Sequence, residues 1–195
     1  MSNPTPVVIL AEDVRQARLV RAYLRERLPS LHRKEIRDAE MANSRCSGAQ
    51  WVTEHYEKEV LAHLIRRSKL PDARRPEKWL IVVIDADNRT VQNRLNVFRK
   101  RITESRDERV RSCSVESANI ARLIPKWSVE TWILNLNDEA IDEDIPYKLH
   151  NRPWDRMIPP AAIVLHQWVR SSKDPPDHCT PSLKPGIEEL RRLTA

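Results

Sequence analysis

The run Leu80-Ile-Val-Val-Ile-Asp85-Ala-Asp87-Asn88 carries five aliphatic residues and then stops on two carboxylates one residue apart. Such a run is the mark of a strand buried on both faces of a parallel sheet, and residues two apart on a strand share a face. Asp85 and Asp87 are therefore expected to project together from the carboxyl end of that strand, where open α/β sheets place their ligands. Paired carboxylate oxygens suit a hard divalent cation, Mg²⁺ or Mn²⁺. Two more acids stand at comparable corners: Glu12 follows the apolar run Val7–Ala11, and Glu130 follows the run Ala118–Ile124 with Lys126 between.

The elements that must position these acids alternate. After Val7–Ala11, the spacing of Leu19, Val20, Tyr23, Leu24 and Leu28 predicts a helix over Val14–Leu28, with Arg15, Arg18, Arg21 and Arg25 on its wet side. A short strand is expected within His32–Arg37, and a helix over Ala49–Arg67 with Trp51, Val52, Tyr56, Val60, Leu61 and Leu64 inward. A loop over Lys69–Lys78 leads into the aspartate-bearing strand, and a helix over Thr90–Glu104 follows it, with Arg94, Arg99, Lys100 and Arg101 outward. Ser128 is a good N-cap for the next helix and places Glu130 in its first turn. Farther on, Pro160 is expected to restart a helix at its first turn within Trp154–Val169, and Ser182 to cap a final helix, Leu183–Leu193. Alternating strands and helices predict an α/β fold: a mainly parallel sheet with helices on both faces and a small helical C-terminal extension. In that architecture the corners holding Glu12, Asp85 with Asp87, and Glu130 lie along one edge and converge.

Composition narrows the setting. Thirty-four Lys and Arg against 28 Asp and Glu give +6 over 195 residues, compatible with a polyanionic partner though a solvated basic face explains much of it. Cys46, Cys113 and Cys179 lack the spacing of a zinc site and read as free thiols. No apolar stretch is long enough for a membrane span, and Met1-Ser-Asn-Pro-Thr-Pro does not look like a leader, so the expectation is a cytoplasmic protein with no membrane association. Of the six tryptophans, Trp51, Trp79, Trp132 and Trp168 sit in core-like contexts, leaving Trp127 and Trp154 as the candidates for exposed base-stacking contacts. His166 reads as a satisfied structural histidine on an apolar helix.

Val8-Ile-Leu-Ala-Glu12 followed by Val82-Val-Ile-Asp85-Ala-Asp87 resembles the TOPRIM domain of topoisomerases, primases and nucleases of the overcoming-lysogenization-defect type. Ile124-Pro-Lys126-Trp-Ser-Val-Glu130-Thr-Trp132 is similar to a segment of small bacterial TOPRIM-like proteins that work beside a partner ATPase in antiphage defence. The likeness covers residues 7 to about 135. It implies a TOPRIM-like, Rossmann-like core over 1–136 with a helical insertion at about 38–78, then an extension over 137–195. The implied activity is Mg²⁺-dependent cleavage of phosphodiester bonds in DNA or RNA. Glu12, Asp85, Asp87 and Glu130 would be metal ligands, Glu12 also a possible general base, and Lys126 a contact to a phosphate or the leaving oxygen.

TOPRIM domains place Gly after the catalytic Glu, whereas Asp13 stands there in this chain. Asp13 either turns away as a helix N-cap or brings negative charge to the phosphate position. The alternative function is a non-catalytic subunit that keeps the fold and binds nucleic acid or an ATPase through its basic helices. A sugar-nucleotide transferase also uses Asp-x-Asp, but two glycines are too few for donor loops. An aspartyl phosphatase would carry the pair on its first strand, followed by Thr or Val where Arg89 stands.

Overall fold

A computed structural model of the chain describes residues 7–29, 36–38, 48–71, 78–147 and 150–193. Its four strands are β1 (Val7–Ala11), β2 (Ile36–Asp38), β3 (Trp79–Val83) and β4 (Ile120–Leu123), all parallel, in the order β2-β1-β3-β4. Its helices are α1 (Val14–Arg27), α2 (Gly48–Ser68), α3 (Val91–Thr103), α4 (Glu108–Arg111), α5 (Val129–Leu136), α6 (Trp154–Arg170) and α7 (Leu183–Arg192). The polar stretch before Gly48, Cys46 and most of the loop ahead of β3 fall outside the described residues.

Every residue of β1 and β3 is buried, because both faces of the sheet are covered. Val7, Ile9, Trp79, Ile81 and Val83 pack with α1, α5, α6 and α7; Val8, Leu10, Leu80, Val82 and Ile84 pack with α2, α3 and α4. The strand alternation thus builds two cores. The helix that the sequence reading treats as an insertion is α2, the crossover from β2 to β3, whose Trp51, Val52, Tyr56 and Val60 lie in the second core. Likewise α6 and α7, from the C-terminal third, complete the first core.

Pro160 does not restart a helix. α6 runs unbroken through Pro159 and Pro160, and both prolines, with Asp155 and Arg156 one turn earlier, are exposed. The carbonyls that lose their partners therefore face water, where the loss is cheapest.

The two edges of the sheet are finished differently. At the amino edge, His63 of α2 is buried and its Nε2 meets the carbonyl of Ala118 at 2.7 Å. Burial pushes the imidazole down to about 4, so it stays neutral and Nε2–H is the donor. Along the outer side of β4, the backbone N–H of Arg122 donates to Glu189 Oε2 at 2.9 Å and Arg192 Nη2 donates to the Ile120 carbonyl at 3.0 Å, both from α7. Among the described residues, no helix is long and apolar enough to cross a membrane.

Candidate functional site

The strand order reverses between β1 and β3: the chain leaves β1 for β2 on one side and β3 for β4 on the other. A crevice outside the carboxyl ends of two such strands is the usual ligand position of an open α/β sheet. Glu12 directly follows β1 and Asp85 lies two residues beyond β3. Both therefore stand at the switch point.

Asp13 is an N-cap. Its Oδ1 accepts from the backbone N–H groups of Arg15 and Gln16, each at 2.9 Å, which starts α1 and turns the carboxylate to the helix end. This fixes Gln16, fully buried, across the crevice. Gln16 Oε1 accepts from Glu12 N–H at 2.8 Å and its Nε2 donates to Asp85 Oδ1 at 2.7 Å; Glu12 Oε2 accepts from Asp85 N–H at 3.2 Å. Glu12, Gln16 and Asp85 close a ring of hydrogen bonds. The start of α2 presses on the same corner: a Cβ at Gly48 would overlap Glu12 Cγ and come within 2.6 Å of the Glu12 carbonyl oxygen. Only glycine fits there.

Glu130 joins through the same turn of α1. It is fully buried, and its Oε1 accepts from Arg15 Nη1 at 2.5 Å, while Arg15 is one-third exposed. Its second oxygen, Oε2, is buried and makes no hydrogen bond among the described residues, as is true of Ser128 Oγ and Thr131 Oγ1 beside it. Ser128 occupies the cap position but does not cap. A buried carboxylate oxygen without a donor is costly and unusual in a structure at rest.

Asp87 departs from the expected pairing. The strand has ended at Val83, and Asp87 takes φ 54°, the left-handed region, so the alternation that would align it with Asp85 is broken. Arg94 holds this turn, donating from Nε to the Asp85 carbonyl at 2.9 Å and from Nη2 to Asp87 Oδ2 at 2.8 Å. Contrary to the sequence expectation, Arg94 faces inward and is only 7 % exposed. Lys126 faces the C-terminal segment: its N–H donates to Ser182 Oγ at 3.2 Å and its Nζ lies 3.9 Å from Asp144. The structure thus brings together Glu12, Asp85 and Glu130 through Arg15 and Gln16, sets Asp87 at the rim, and turns Lys126 elsewhere.

Clefts flank the edge. One of about 450 Å³ lies between α2 and α3 and is lined by Gln50, Thr53, Asp87, Arg89, Arg94 and Arg101. Another, about 430 Å³, lies between α1 and the start of α6 and is lined by Arg15, Arg18, Arg152, Trp154 and Arg156. Trp154 is not an exposed stacking residue: it is buried, with the Arg15 guanidinium 5.8 Å from its ring centroid. Trp127 is half-buried. His166 is not satisfied as expected, since its Nδ1 is buried without a hydrogen bond among the described residues.

The acids were tested as ligands for a divalent cation. Their hard oxygens and the bare Glu130 Oε2 suit Mg²⁺ chemically. Their placement does not: among the described residues, no three His, Cys, Asp or Glu side chains are grouped to hold a metal. The cause is visible in the contacts, because Asp85, Glu130 and Asp87 each turn toward a different protein donor, Gln16, Arg15 and Arg94.

The residues that sequence reasoning missed left traces. Gln16 and Arg94 are polar side chains standing on apolar helix stripes, with Leu19, Val20 and Tyr23 in one case and Phe98 and Ile102 in the other. Gly48 is one of only two glycines in the chain. Fold and site together define an α/β protein with an all-parallel four-stranded sheet, consistent with Rossmann-like and TOPRIM-like topology, and an acidic crevice at its switch point. Beyond that class, comparison with protein-family models, curated proteins and solved structures finds no match.

Proposed function

We propose that this chain is a TOPRIM-like protein that cleaves phosphodiester bonds of DNA or RNA with Mg²⁺ or Mn²⁺, acting at the Glu12–Asp85–Glu130 edge. The observation that carries the reading is the meeting of acids from three strand-to-helix corners at the switch point, through one turn of α1, between arginine-lined clefts. Arginine forks bind phosphate oxygens bidentately, so the clefts supply positioning while the buried acids supply concentrated negative charge in a low-dielectric setting. A bound Mg²⁺ would contribute charge neutralisation at the phosphate. No step is routed through it, because the acids as they stand do not gather around one position.

On this reading the protein is a cytoplasmic effector or subunit of a bacterial defence system with a partner ATPase. That part rests on the likeness of Ile124–Trp132 alone. The decisive experiment incubates purified protein with labelled DNA and RNA, single- and double-stranded, in Mg²⁺ and in Mn²⁺. Cleavage is expected, and Asp85→Asn is expected to lower it by roughly 10³-fold while leaving the fold intact. Unchanged cleavage by Asp85→Asn would remove the edge from the mechanism.

A second reading has its own support. Every acid of the edge has a protein donor, which is how a retired metal site kept for binding would look. A protein that binds these nucleic acids, and cleaves none of them in either metal, would establish that non-catalytic role.

A further inference from the structure

Arg15 and Arg94 share an arrangement found nowhere else along the acidic edge: each grips one of its carboxylates and also lines one of the flanking clefts. Arg15 stands on α1, on one face of the sheet, with Arg18, Arg152 and Arg156 around it. Arg94 stands on α3, on the other face, with Arg89 and Arg101. No single phosphate spans both clefts with the acids between them. A strand carrying phosphates at regular intervals does.

We propose that Arg15 and Arg94 are the phosphate receptors for a nucleic-acid strand lying across the edge, and that their capture by phosphate releases Glu130 and Asp87 to bind a cation. The inference rests on the reading of this edge as a phosphodiester site. Its physical basis is the arrangement of charge. Glu130 is wholly buried and holds only one donor, Arg15, with Oε2 bare. When a phosphate draws Arg15 away, a buried carboxylate is left without its counter-charge, a state that costs several kcal/mol. A divalent cation offsets that cost. Strand and cation then favour each other's binding, and the coupling is reciprocal by thermodynamic necessity. In the free protein the arginines stand where the cation's charge would act, which accounts for the absence of a gathered metal site among the described residues. Arg25, Arg89, Arg101 and Arg156 have no ion pair among the described residues, and extend positive charge away from the edge on both sides.

The test is Mn²⁺ titration followed by the electron paramagnetic resonance of free Mn²⁺, with protein alone and with a single-stranded DNA oligonucleotide. An Asp85→Asn, Glu130→Gln double variant with the same oligonucleotide supplies the blank for Mn²⁺ held by DNA phosphates. Wild-type protein is expected to bind Mn²⁺ about tenfold more tightly with the oligonucleotide than without. Arg15→Gln is expected to bind Mn²⁺ about as tightly without DNA as the wild type does with it, and to melt at a higher temperature when Mn²⁺ is added. Arg94→Gln repeats the test through Asp87 should Arg15→Gln fail to fold. Equal Mn²⁺ affinity with and without DNA overturns the release of carboxylates while leaving a metal-dependent site in place. Mn²⁺ binding by none of these proteins under any condition overturns both the inference and the proposed activity.

Discussion

The two edges of the sheet bury polar groups in opposite ways. At the amino edge, His63 is kept neutral by burial and shares its proton with the Ala118 carbonyl. At the carboxyl edge, Asp85 and Glu130 lie equally deep but as acids, set against an amide and a guanidinium, with Glu130 Oε2, Ser128 Oγ and Thr131 Oγ1 left without partners among the described residues. One edge avoids charge; the other concentrates it. Buried groups arranged for stability alone are normally satisfied, so the unsatisfied acidic edge is where selection for something other than stability has acted.

Mutations can break this contrast. The largest effect is expected at the acidic edge: Arg15→Ala strips the one counter-charge from Glu130 and should cost about 3 kcal/mol, the low end for a broken buried pair because Arg15 is partly exposed. Adding Glu130→Gln should return most of that loss in chemical denaturation; no recovery would show that the arginine acts through packing instead. The neutral edge is tested by acid. Because the folded imidazole titrates near 4 and the unfolded one near 6.5, the unfolded chain takes up the proton first. Stability is then full above about pH 6.5 and falls by about 2–3 kcal/mol as pH drops toward 4. Denaturation curves of His63→Gln should lose that slope. Next in size, Gly48→Ala forces a methyl into Glu12 and is expected to cost about 2 kcal/mol, read as a lowered melting temperature. Smallest is Ser128→Ala. An ordinary N-cap serine is worth about 1 kcal/mol, but this hydroxyl caps nothing, so the change should stay within about 0.5 kcal/mol.

Periodicity made much of this legible. The aliphatic runs at Val7–Ala11 and Leu80–Ile84 gave strands, and the three- and four-residue spacings gave α1, α2 and α3 within a residue or so of their ends. The corners holding Glu12, Asp85 and Glu130 followed from the same alternation. What alternation cannot reveal is where it stops. Asp87 was placed by extending the period-two rule past Val83, into a turn whose left-handed residue is dictated by Arg94 from nine positions beyond Asp85. Trp154 looked exposed because it follows Pro153, yet it begins the apolar face of α6. Four-residue α4 is too short to carry a period at all.

The sealing of β4 by α7 bears on how copies of this protein meet. An outer strand normally offers its N–H and C=O groups as a template for another chain. Here the two that an incoming strand would use first, Arg122 N–H and Ile120 C=O, are already taken by Glu189 and Arg192. Sheet extension from that side requires α7 to leave. At high concentration or during partial unfolding, then, the molecule is guarded against fibrous aggregation along β4 by a helix from the far end of its sequence.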